Sequence, residues 1–243
     1  MRIPRVHVGA GLAEGDLITL EKPQSHYLKH VLRLESGAAV ILFDGKQAVD
    51  YRGNLILEGK AVKVNIDAAQ SLDNESKLDS EIIQGLARAD HMDWVIQKIT
   101  ELGVNRISIF NAERSQSPLK TTQQDKRLAH WRGVASSACE QSGRAIIPQI
   151  DFYRDLGQLL GTSREALKLL LDFEGEPLAA CLRDGYSAVS ILLGPEGGLN
   201  QSEITSARSA GFLAVSLGKR VLRTETAATA ALAIVQSSLG DLG

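Results

Sequence analysis

The sequence is short of cysteine, of aromatic residues and of net positive charge, and each shortage excludes something. Two cysteines, Cys139 and Cys181, supply neither a disulfide framework nor a metal-binding spacing, so a reducing cytoplasm is the expected setting. No apolar run approaches the roughly 18 residues that a membrane-spanning helix needs. The first residues, MRIPRVHVGAG, hold no apolar stretch of the secretory type, and no signal peptide is expected. The 27 Lys and Arg are outnumbered by 29 Asp and Glu, which excludes a partner held by net charge alone. No internal repeat or low-complexity tract interrupts the chain. Apolar residues still make up 44% of its 243 positions, enough for one large domain or two small ones with proper cores.

The charge that is present is unevenly spread. Between Arg106 and Arg144 there are seven Lys or Arg against three Asp or Glu; from Asp151 onward there are eight against eleven. A basic middle beside an acidic end suits a polyanionic partner on one face, or equally an ordinary solvated helix surface.

Patterning divides the chain. RIPRVHV, LITL, AAVILF and LILEGKAVKVNI read as strands, with Asp44-Gly45 at a hairpin turn. Between them, residues 24–34 place Leu28, Val31 and Leu32 on one face of a short helix. These segments predict a small β-barrel over residues 1–69. Residues 70–77 are polar and aperiodic and read as a linker. Over residues 78–243 strands alternate with helices: SEIIQGLA, RISIF, ALKLLL, AVSILL and FLAVSL as strands, and helices over 90–102, 121–142, from Asn200, and over 224–239. Met92, Val95, Ile96, Ile99 and Leu102 share one helix face, and Trp94 is taken as core. Glycines 103 and 143 stand as C-caps, and Asn200 with Glu203 forms a capping box. The alternation predicts an α/β unit, a parallel sheet with helices on both faces.

Ligands of such sheets sit beyond the carboxyl ends of the strands, and two loops there carry glycine. One is Gly194-Pro195-Glu196-Gly197-Gly198. The other runs from Leu217-Gly218 to Leu222-Arg223. Neither is a P-loop: the nearest match, Gly211 to Gly218-Lys219, has the wrong spacing and Arg220 in place of Ser or Thr. Neither is a dinucleotide fingerprint, which belongs early in the chain. A carboxylate at Glu196 would repel phosphate and is compatible with a neutral nucleoside or a cationic ligand. The alternative is a tight strand-to-helix turn that simply needs glycine.

Taken together, HYLKHVLRL, DHMDWVIQKITELGV, ERSQ, HWRGVASSACEQSGRAIIP, LLGPEGGL and LGKRVLRTETAATAAL resemble the RsmE family, the bacterial 16S rRNA uridine-N3 methyltransferases of the SPOUT superfamily. The likeness spans nearly the whole chain, and LLGPEGGL with LRTETAA is its most specific part. It implies an N-terminal PUA-like barrel for RNA and a C-terminal domain with a trefoil knot, an exception to the rule that chains do not thread. It implies S-adenosylmethionine as cofactor, a homodimer, and a target uridine near the 3′ end of 16S rRNA, within the 30S subunit. The cofactor contacts it implies are Leu171, Leu193, Gly194, Glu196, Gly197, Leu217, Gly218, Leu222, Arg223, Thr226 and Ala227. Where the family commonly has Gly-Pro, this chain has Gly218-Lys219.

The chemistry asks for more. Uridine N3–H is a weak acid, so methylation needs orientation and a cation to stabilise the developing uridinate. Arg223 is the first candidate, followed by Arg114 and Arg144. Glu225 is either the proton acceptor or an acid favoured at a helix N-terminus. Arg2, Arg5, Lys29, His30, Arg33, Arg114 and Arg144 are the expected RNA contacts. His26 and His30 lie at i, i+4 spacing but lack a third ligand, so no metal is expected. Trp131 is left between core packing and stacking on a base. Two other readings compete: a related knotted tRNA methyltransferase, and a ribosome-assembly factor that binds RNA without catalysis.

Overall fold

The computed structural model describes every residue except 1, 2, 10, 60, 163–166 and 184. Its contacts divide the chain into two units: Met1–Glu75 with Cys139–Ile147, and Ser76–Ala138 with Pro148–Gly243.

The first unit contains β1 (Arg5–His7), β2 (Leu17–Thr19), α1 (Lys22–His26), β3 (Ala39–Phe43), β4 (Val49–Glu58) and β5 (Ala61–Ser71). They form one mixed sheet in the order β1-β3-β4-β5-β2. The turn after β3 is fixed by Asp44, whose Oδ1 accepts from the N–H groups of Lys46 and Gln47. Alternate residues of the strands, Val40, Leu42, Leu55, Val62, Val64 and Ile66, meet Leu28 in one core. α1 widens into a π-type turn over Tyr27–Val31. That turn breaks the 3.6-residue period, so only Leu28 is buried, and Val31 and Leu32, expected beside it, are 59% and 37% exposed. β5 pairs with β4 as far as Ser71 opposite Val49, two residues into the expected linker. Its last side chains face solvent; the backbone ladder, not burial, holds them. The segment Cys139–Ile147, expected within the second domain, belongs here because Phe43, Cys139 and Ala145 share a small core.

The second unit is built on β6 (Asp79–Gly85), β7 (Arg106–Phe110), β8 (Gln149–Tyr153), β9 (Leu167–Pro177), β10 (Ala188–Leu193) and β11 (Leu213–Ser216). All pairings are parallel, in the order β11-β9-β10-β6-β7-β8. The helices are α2 (Ala89–Glu101), α3 (Gln124–Ser142), α4 (Leu156–Leu160), α5 (Leu178–Cys181), α6 (Gln201–Ser209) and α7 (Thr224–Leu239). Ile83, Phe110, Leu170 and Leu192 pack with Leu156, Leu159, Ala207 and Phe212 on one face. Residues of the other parity, Ile82, Ile107, Leu169 and Ile191, point the opposite way and are equally buried. α2 and α7 pack together, and α7 packs on β10. The expected capping box of α6 is present, with Asn200 and Glu203 bonding each other's backbone N–H. No helix among the described residues is long and apolar enough to cross a membrane.

Candidate active site

The carboxyl ends of β6, β9, β10 and β11 open on one cavity of about 640 Å³, built entirely from the second unit. Its floor is the Gly194–Gly198 loop. Gly194 has no room for a side chain: a Cβ there would stand 2.7 Å from the backbone of Gly198 and Leu199. Gly85, ending β6, would likewise strike Pro195 at 2.6 Å. Buried Gln84 stitches the parts together, its Nε2 donating to Gly194 O at 3.2 Å and to Thr224 Oγ1 at 3.0 Å. Thr224 in turn donates to Gly194 O at 2.9 Å. From outside, Arg114 Nη1 donates to Gly197 O at 3.1 Å and Leu199 O at 3.3 Å.

The second wall is the loop after β11, where Gly218 takes φ +95°, a turn that disfavours any residue with a Cβ. The third comes from a large bulge. As β11 advances one residue, from Ala214 to Val215, its partner on β9 jumps from Leu170 to Glu176. The displaced residues include Leu171, Asp172 and Phe173, which line the cavity. Sequence patterning ends this strand at Leu171; the polar residues beyond it resume the ladder to Pro177.

Charge in the cavity is mixed. Glu196 Oε1 accepts the Arg88 N–H at 3.0 Å and meets His91 Nδ1 at 2.7 Å. Burial works against ionisation of Glu196, yet the N–H groups of Arg88 and of Glu196 itself, with His91, outweigh it and hold the carboxyl below its usual range. Glu225, in the first turn of α7, lies with Oε2 3.8 Å from His91 Nδ1. That oxygen is buried with no hydrogen-bond partner among the described residues. Arg223 is exposed on the wall, and its side chain makes no ion pair or hydrogen bond among the described residues. The arrangement offers apolar side chains and bare glycine backbone for a flat neutral ring. It also offers an acidic pair for a cation and one uncommitted guanidinium at the rim.

The expected cofactor residues Leu171, Leu193, Gly194, Glu196, Gly197, Leu217, Gly218, Leu222, Arg223 and Ala227 all line this cavity. Thr226 does not: it is exposed on α7, one residue beyond Glu225 and turned about 100° along the helix. Sequence reasoning missed Arg88, His91 and Phe173. No local pattern marks His91, whose partner Glu196 lies 105 positions away.

The expected RNA contacts separate into two kinds. Lys29 and His30 lie on the π-type extension of α1 and Arg33 just beyond it, with His30 and Arg33 exposed; among the described residues Lys29 Nζ reaches only the neutral Gly59 O. Arg114 is exposed but engaged with the glycine loop. Arg5 and Arg144 are corrected by the structure: they are 7% and 4% exposed. Arg5 pairs with Asp50 and donates to Cys139 O and Arg144 O. Arg144 binds both oxygens of Glu75 through Nε. A guanidinium so placed is a structural cross-link and cannot reach a phosphate. Arg2 lies outside the described residues. Trp94, expected in the core, is 41% exposed, and Trp131, left between core packing and stacking, is buried at 1%. Ala228 and Ala231 are buried within the chain, on the helix that packs against α2.

Two family models match the chain. The family described as an RNA methyltransferase domain matches residues 74–236, and the RNA methyltransferase PUA domain matches residues 20–57. Ribosomal RNA small subunit methyltransferase E of Buchnera aphidicola subsp. Schizaphis graminum is 30% identical, covering 99% of this chain and 98% of the relative. The crystal structure of a ribosomal RNA small subunit methyltransferase E from Neisseria gonorrhoeae, bound to S-adenosyl methionine, superposes with a TM-score of 0.91. It is 34% identical over all of both chains. A putative methyltransferase from Legionella pneumophila in complex with the same cofactor gives 0.91 at 32% identity, again over all of both chains.

Proposed function

The chain belongs to the ribosomal RNA small subunit methyltransferase E family, and we propose that it uses S-adenosylmethionine to methylate N3 of one uridine near the 3′ end of 16S rRNA. The observation that carries the reading is the cavity itself: a glycine-floored pocket at the carboxyl edge of the sheet, with an acidic pair inside and a free arginine at the rim.

Its residues fit that cofactor. Leu193, Leu217 and Leu222 offer apolar contact to a purine, and the backbone of Gly194 and Gly218 lets a ligand approach closely. Glu196 and Glu225 favour a positive group. When bound, the cofactor supplies a methyl group activated by the sulfonium. The chain's own residues do the remainder. Arg223 steadies negative charge on the uracil ring as N3 loses its proton, a task for a preorganised cation. Glu225 takes that proton. Lys29, His30 and Arg33 of the first unit, with Arg114, hold the phosphate backbone. The protein acts in the cytoplasm as a homodimer, on the assembled 30S subunit.

The test is nucleoside mass spectrometry of 16S rRNA from a strain lacking the gene. N3-methyluridine disappears, returns with the wild-type gene, and does not return with Gly194→Val, whose added side chain has no space in the loop. Retention of the modification in the deletion strain refutes the assignment.

A further inference from the structure

His91 is an ionisable side chain of the cavity without a part in this scheme. It stands in the first turn of α2, with its side chain 19% exposed. Nδ1 lies 2.7 Å from Glu196 Oε1 and 3.8 Å from Glu225 Oε2, and Nε2 lies 3.8 Å from Asp90 Oδ2. Three carboxylates from three elements therefore surround one imidazole: Asp90 of α2, Glu196 of the loop after β10, and Glu225 of α7. The cations facing the same space are Arg88, whose Nε is 3.6 Å from Asp90, and Arg220 and Arg223 on the cavity wall.

The hydrogen bond to Glu196 uses a hydrogen on Nδ1. A neutral ring can carry that hydrogen, and the imidazolium always does. Gaining or losing a proton at Nε2 therefore leaves the contact in place and changes only its charge. With the ring neutral, Glu196 and the unpartnered oxygen of Glu225 stand as uncompensated negative charge. With the ring charged, much of that is cancelled.

We propose that His91 is a positioning residue that sets the charge of the cavity wall: it holds Glu196 in place and, when neutral, leaves the Glu196–Glu225 pair free to favour a sulfonium ligand over its uncharged thioether product. The inference rests on the cofactor reading above. It gives the site a means of distinguishing S-adenosylmethionine from S-adenosylhomocysteine, which differ at that centre by one methyl group and one charge. The same contact accounts for both features of Glu196: one oxygen braces the loop, and the charge it carries acts through space.

The test is calorimetric titration of the full-length protein with each of the two ligands over a pH series. In the wild type, preference for the sulfonium ligand rises about fivefold as pH rises, as expected for the loss of one charge acting over several ångströms in a partly solvated cavity. In His91→Gln, uncharged throughout but still able to donate to Glu196, the preference stays at the high value. In His91→Lys, charged throughout, it stays at the low value. A merely structural histidine would weaken both ligands alike and leave the ratio unmoved. A wild-type ratio that does not change with pH, or a change that survives in His91→Gln, overturns the proposal while leaving the cofactor reading standing. Failure of the wild type to bind either ligand overturns that reading and the proposal with it.

Discussion

Arg144 in the first unit and Arg223 in the second are the same side chain in opposite situations. Arg144 is buried and bound through its guanidinium to both oxygens of Glu75. Its carbonyl accepts from Arg5, which is itself paired with Asp50. Arg223 lies exposed on the rim of a cavity and makes no ion pair among the described residues. The first arrangement pairs each of its guanidinium groups; the second leaves, among the described residues, a guanidinium without an ion pair and a carboxylate oxygen without a hydrogen bond. Unmatched charge beside a cavity is poised for a ligand, whereas matched charge in a core fixes geometry. What separates a functional arginine from a structural one here is its partners, since residue type is shared.

The comparison breaks most visibly through stability. Arg144→Ala strands Glu75, whose side chain is only 14% exposed; removing one partner of a buried pair commonly costs about 3–5 kcal/mol. The expected outcome is a large drop in thermal midpoint, with S-adenosylmethionine affinity below the transition unchanged within about twofold, since the cavity takes no residue from the first unit. Arg5→Ala should act through the same network, so the double variant loses less than the sum of the two. An unaltered midpoint for Arg144→Ala would return Arg144 to the list of RNA contacts.

Arg223→Ala addresses the other side. A cation that stabilises the developing uridinate acts in the transition state, so its loss lowers kcat more than it raises KM, by about 100-fold. Stability stays at the wild-type value, because no internal partner is lost. Raising the pH ionises more uridine N3 without help, and the deficit of the variant shrinks. Single-turnover methylation of 30S subunits with saturating cofactor reads this directly. A deficit that is constant with pH, or one confined to KM, makes Arg223 a phosphate-gripping residue.

These contrasts mark what could be read from the chain. RISIF and AVSILL are observed as strands at the quoted residues, and Thr224–Leu239 as the last helix, because apolar runs and local caps are properties of neighbours in sequence. The Gly194 and Gly218 loops were legible for the same reason. The bulge that brings Phe173 to the cavity was not, since DFEGEP is polar and its ladder depends on β11. β8 and α4 escaped notice because QIDFY buries only Ile150 and LGQLL is broken by glycine and glutamine, so neither presents an apolar run. Trp94 was misplaced by its size, although it lies two positions from both Met92 and Ile96, about 200° around the helix from that buried face. Arg5 and Arg144 were misplaced because their partners lie 45 and 69 positions away. His91 was missed across 105. Pairing over such distances is a property of the fold, and a lone arginine or histidine in sequence carries no mark of it.

The smallest effect sharpens the contrast within the first unit alone. There the buried Arg5 sits in the same unit as Lys29 and Arg33, whose charges no carboxylate among the described residues neutralises. Lys29 donates to a carbonyl. Arg33 is exposed and holds φ at +54°, a left-handed conformation uncommon outside glycine. Lys22, His26, Lys29 and His30 line a shallow basic groove, and Arg33 follows His30 by three residues. If pairing decides role, these cations are the ones free to displace counterions from a phosphate backbone. Each such contact contributes about one unit to the slope of log affinity against log salt. Lys29→Ala with Arg33→Ala should therefore flatten that slope by about one to two, weaken binding of a 16S 3′-domain fragment severalfold at moderate salt, and leave kcat at saturating RNA unchanged. Arg5→Ala, measured well below its unfolding transition, should leave the slope as it is. The measurement is filter binding across a potassium chloride series. A double variant with the wild-type slope would remove this groove from the RNA path. A flattened slope in Arg5→Ala would mean that the buried ion pair opens to reach the RNA, and that burial in the free protein does not assign the role.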